Sequence, residues 1–131
     1  MKVKIDTREK FHVITIDEKQ LAANMTDEME NSLSPLLQHA VKNAVVIMRD
    51  IENIDIAAAE TLVKIQHRFY ENHASFVICE LQAPVEERLD ELSLLELMNV
   101  TPTESEAWDI VQMEEIEREL LGGEEDQPEL D

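Results

Sequence analysis

The chain has 131 residues, 44% of them hydrophobic and only 4% aromatic, so it is long enough for one core, and that core has to rest on Leu, Ile, Val, Met and Ala. Its formal net charge is −19, from 11 Lys plus Arg against 30 Asp plus Glu, a sign that disfavours both nucleic acid and anionic membrane surfaces as partners. The lone Cys79 excludes an internal disulfide and a multi-cysteine zinc site.

The acidity is uneven. Residues 1–79 carry 9 basic and 12 acidic side chains, whereas residues 80–131 carry 2 and 18. The opening "MKVKIDTREKF" has no apolar stretch of signal-peptide length, and nothing approaches the roughly 20 apolar residues of a membrane span, which predicts a cytoplasmic address.

In chain order, "VKI" and "FHVITI" alternate apolar and polar residues, so Val3–Asp6 and Phe11–Ile16 are predicted to pair as a hairpin. Thr26, Asp27 and Glu28 open a helix whose apolar positions are Met29, Leu33, Leu36 or Leu37, Ala40 and Val41. Pro35 either bends that helix or stands in the first turn of one that starts at Ser34. "NAVVIMRD" has the length and continuous apolarity of a strand buried on both faces. The stripe Ala58, Leu62, Ile65 and Phe69 marks one face of a helix ending near Asn72 and His73.

"SFVICEL" is a further buried strand. Beyond Pro84, Val85, Leu89 and Leu92 take helical spacing, and "LMNVT" is a weak strand that Pro102 confines to an edge or terminus. Thr103–Glu106 reads as a capping box in which hydroxyl and carboxylate each satisfy a backbone amide, opening a helix with Ala107, Ile110, Met113 and Leu120 inward. The acidic stretch 122–131 lacks apolar periodicity and is expected to be disordered, leaving one domain over 1–121. This order predicts an α/β fold: a mixed four- to five-stranded sheet, an N-terminal antiparallel hairpin, and about four helices.

Enzyme motifs are nearly absent. The two glycines are adjacent, at Gly122 and Gly123, which excludes a glycine-rich phosphate loop. His12, His39, His67 and His73 fall on different elements or faces, as surface or capping residues do. Asp17 and Glu18 follow "VITI" and Asp50 closes "VVIMRD", placing acids after two strands as in a response-regulator receiver that uses Asp50 as phosphoacceptor. The rest of that pattern is missing, since no Lys follows Lys64 to balance charge on a phosphoryl group.

The stretch "NAVVIMRDIENIDIAAAETLVKIQHRFYENHASFVICELQAPVEERLDELSLLELMNVTPTESEAW" resembles the central unit of the STAS domain, the fold of bacterial anti-sigma factor antagonists and of sulfate-transporter cytoplasmic tails. The resemblance covers roughly residues 3 to 121 and rests on element order and hydrophobic frame. It implies that Asp55 keeps the family's aspartate, while Ile56 takes its first serine position. Ala57 then replaces the serine that an anti-sigma kinase phosphorylates, and Ala58 replaces the glycine. "DEKQLA" matches the turn after the second strand, with Ala22 where an aspartate helps hold the phosphorylation site.

The resemblance therefore implies a non-enzymatic, cofactor-free protein-binding domain without the usual serine switch. Its expected partner-binding face is Asp55, Ile56, Ala57, Ala58, Glu60 and Thr61 with Ala22 and Asn24, and its expected partner a kinase-like anti-sigma factor. A homodimer stays open. A third reading makes the acidic C-terminal half, with Glu114, Glu115, Glu117 and Glu119, a scaffold or oligomerisation surface for a basic partner.

Overall fold

The structure is a computed structural model that describes residues 1–126. Strands β1 (Val3–Thr7) and β2 (Phe11–Ile16) form the antiparallel hairpin, with Ile5 opposite Ile14. Two residues, Gln20 and Leu21, form β3; α1 (Thr26–Leu33) follows. The helix does not run on through Pro35. It gives way to a 3-10 turn, Ser34–Gln38, with the proline in its first turn, where the missing N–H costs nothing.

Next come β4 (Asn43–Ile47), the two-residue β5 (Asn53–Ile54), α2 (Ile56–Glu71), β6 (Phe76–Cys79), α3 (Ala83–Glu91), β7 (Val100–Thr101) and α4 (Glu104–Asp126). The main sheet has the order β1-β2-β4-β6-β7, parallel except for β1. β7 is an edge strand stopped by Pro102, as its sequence requires. β3 and β5 pair apart from it as a second, two-stranded parallel sheet that the sequence reading missed.

Two cores lie on opposite faces of the main sheet. The larger joins Ile14, Ile16, Val46, Met48, Phe76 and Ile78 to helices α1, α2 and α3 through Met29, Leu33, Leu62, Ile65, Phe69, Val85 and Leu89. The smaller joins Phe11, Val13, Val45, Ile47, Val77 and Cys79 to α4 through Ala107 and Val111, with Trp108 stacked on Phe11 at 4.5 Å between ring centroids. Cys79 is a buried core residue, and desolvation, helped by the nearby Glu80 and Glu104 charges, pushes its thiol up to about 12.

Two expectations for α4 need correction. Met113 and Leu120 point outward, because the stripe that meets the sheet is Ala107 and Val111. The capping box is only half made: the Glu106 N–H donates to Thr103 Oγ1 (3.2 Å), but the Glu106 carboxylate bonds that same hydroxyl (3.1 Å). α4 is helical through Asp126, and residues 127–131 of the expected tail lie outside the described residues.

His12 also departs from its expected surface role. It is fully buried, and its Nε2 donates to the Val41 carbonyl (2.7 Å) while Nδ1 accepts from the Thr7 hydroxyl (2.8 Å), the tautomer that a carbonyl acceptor demands. Asn43 is a second buried polar hub. Its amide donates to the Lys10 carbonyl and Glu115, and its oxygen accepts from the Ser75 N–H (2.8 Å) and Arg118 (3.2 Å), tying three strands' starts to α4.

Candidate functional site

The start of α2 and the loop after β2 form one surface. The Lys19 carbonyl accepts from the N–H groups of Glu52 (2.6 Å) and Asn53 (3.2 Å), the β3–β5 pairing follows, and the Asp55 N–H donates to the Leu21 carbonyl (2.9 Å). Asp55 is the N-cap of α2 in extended conformation (φ −82°, ψ 154°), yet its carboxylate makes no capping bond to its own helix. Oδ2 instead accepts from the Ala23 N–H at 2.9 Å. A charged acceptor makes the stronger kind of hydrogen bond, so the side chain locks the two segments side by side.

From this anchor the expected contact residues separate. Ile56 is 48% exposed, Glu60, Ala23 and Asn24 are exposed, and Asp55, Ala57 and Ala22 are half-buried. Ala58 is fully buried, as is Ala59. Thr61 is buried too, and its hydroxyl donates back to the Ala57 carbonyl (2.9 Å). Ala58 and Thr61 thus belong to the packed side of α2, and the accessible apolar centre is Ile56 with Ala57, Ala22 and Ala23. Ala23 was missed from sequence, because its contribution is a backbone N–H that no side chain signals.

Position 57 carries a methyl group on the second helical residue, beside the open N-terminal end of α2. It offers no hydroxyl. The acids of the receiver-like reading, Asp17, Glu18 and Asp50, line a shallow hollow with Glu52 and Lys19 beside this surface, but Glu18 already accepts from the Lys2 N–H (2.7 Å). Among the described residues no three His, Cys, Asp or Glu side chains are gathered as a cation would need them.

This order of strands and helices, with Asp55 at the head of α2 tied to the loop after β3 and Ile56 facing solvent, is that of a STAS fold. The STAS domain family model matches residues 2–107, and the chain belongs to that family. No curated protein sequence matches it. Among solved structures it is similar to a serine-to-glutamate variant of RsbS from Moorella thermoacetica (21% identity, TM-score 0.70, covering 86% of this chain and 96% of that one). It is also similar to an anti-sigma factor antagonist from Mycobacterium paratuberculosis (10%, 0.73, 85% and 93%). A third is the anti-sigma factor antagonist SpoIIAA in its unphosphorylated form (14%, 0.67, 85% and 96%). At these identities the structural likeness establishes the fold. No described helix is long and apolar enough to cross a membrane.

Proposed function

We propose that this chain is a non-enzymatic, cytoplasmic protein-binding domain of the anti-sigma antagonist type. Its docking runs through Asp55, Ile56, Ala57 and Glu60 with Ala22 and Asn24, and is not governed by phosphorylation at position 57. The observation that carries this reading is Ala57 itself: a half-exposed methyl at the start of α2, beside exposed Ile56, on a turn fixed by the Asp55–Ala23 bond. An apolar centre with a charged rim is how protein interfaces are built. A phosphate at such a position would add about −1.5 to −2 charges and repel an apolar or acidic partner; an alanine cannot take on that added charge. The partner this reading calls for is a kinase-like anti-sigma factor.

The test is a pull-down from the source cell's lysate with wild type, Ala57→Arg and Ala57→Ser, followed by mass spectrometry. A kinase-like protein should bind wild type and be lost from the folded Ala57→Arg variant, and Ala57→Ser should gain a phosphoryl mass when ATP is added. Retention of every partner by Ala57→Arg would place docking elsewhere.

A further inference from the structure

The outward side of α4 is apolar where solvent-facing helices are ordinarily polar. Met113 is 60% exposed, Ile116 56%, Leu120 64% and Leu121 58%. The first three step by three and four residues, the anchor spacing of helix-to-helix recognition. At 100° per residue, Met113 and the sheet-facing Val111 are roughly 160° apart, so this stripe lies on the far side of the helix from the smaller core. Four exposed large apolar side chains within nine residues are more than scattered surface exposure.

Charge decides what covers them. Glu117 and Glu119 flank the stripe on its two sides, and Asp109 continues its line one turn earlier. Between Glu104 and Leu121 the one basic residue is Arg118, and it is turned inward, donating to Ser75 Oγ and Asn43 Oδ1 at 3.2 Å each. The outward face is thus apolar in the middle and negative at both margins. A second copy would bring the same acids against one another, across two chains of net charge −19. An anionic bilayer is repelled for the same reason, membrane-surface helices carrying Lys and Arg on their polar face.

We propose that this face of α4 is a second docking site, and that its occupant is an amphipathic helix of a partner protein with an apolar stripe flanked by Lys or Arg. The partner's apolar side chains pack along Met113, Ile116 and Leu120 while its cations meet Glu117 and Glu119. The site is separate from the turn at Ala57, and the proposal stands whether or not that turn binds anything.

The probe is a labelled synthetic helix of about three heptads with Leu at the a and d positions and Lys at e and g, titrated with the full chain by fluorescence anisotropy. Binding in the tens of micromolar is expected, falling about tenfold or more between roughly 50 mM and 0.5 M salt. The charge-neutral double substitution Ile116→Ser with Leu120→Ser, its helicity checked by circular dichroism, should weaken binding by a further factor of about ten. Ile56→Ser should leave it unchanged, which separates this site from the α2 turn. No binding, equal binding by the double variant, or equal binding of a peptide with Glu at e and g overturns the proposal. So does a wild type that sediments as a dimer while the double variant sediments as a monomer, since a second copy would then own the face.

Discussion

Asp55 shows how a residue correctly singled out can act differently from its type. An aspartate before a helix ordinarily accepts from the amides of that helix's first turn; here it reaches across to Ala23. Replacing it removes a charge-assisted bond between two segments rather than a cap, so Asp55→Ala should cost about 1–2 kcal/mol. Asp55→Asn, which keeps an acceptor oxygen, should cost less. Urea denaturation measures both, and amide exchange at Ala23 should speed up in the alanine variant alone; an unchanged Ala23 rate would mean the bond does not hold the loop. The sequence identified the turn but not its rotation. A stripe of Ala58, Leu62, Ile65 and Phe69 facing the core is incompatible with Ala58 on a contact face, and the structure keeps the stripe. Ala23 was invisible because a backbone donor leaves no mark in the residue types.

At the scale of elements, the strands and helices of the main sheet were legible because their apolar runs are long and their periods clean. The two-residue strands β3 and β5 were not, since two residues carry no period. Turns were hard for a compositional reason. Both glycines lie in α4, so the helix ends must use other residues. His73 (φ 58°) and Ser93 (φ 59°) stand in the left-handed position after α2 and α3 that glycine ordinarily fills. Each end closes with a paired set of bonds: Ala74 N–H to Phe69 and His73 N–H to Tyr70, then Leu94 N–H to Leu89 and Ser93 N–H to Asp90. A side chain there is strained by roughly 1–2 kcal/mol, part of which glycine gives back as unfolded-chain entropy. Ser93→Gly should therefore stabilise the fold by about 0.5–1 kcal/mol, read as a higher denaturation midpoint at unchanged slope. A lower midpoint would mean the serine side chain makes a contact that outweighs its strain. The orientation of α4 failed for another reason: its outward residues are as apolar as its inward ones, so periodicity alone could not choose a face.

For the whole molecule the dominant fact is charge. With 30 acids against 11 bases, repulsion opposes compaction, and the exposed pair Arg8–Asp6 relieves little of it. Screening should help the folded state, so the melting temperature should rise by about 3–5 °C between roughly 10 mM and 0.5 M sodium chloride. A flat or falling melting temperature would show that the surface ion pairs outweigh the repulsion. The two margins of the main sheet have a consequence of their own. β1 lies open along five residues, four of them exposed, but Lys4, Asp6 and the adjoining Arg8 place both signs of charge there. β7 offers two residues before a proline. Strand edges are where chains zip into one another and polymerise. One margin is blunted by charge and the other by brevity, and both features oppose strand-to-strand association of this chain with its neighbours.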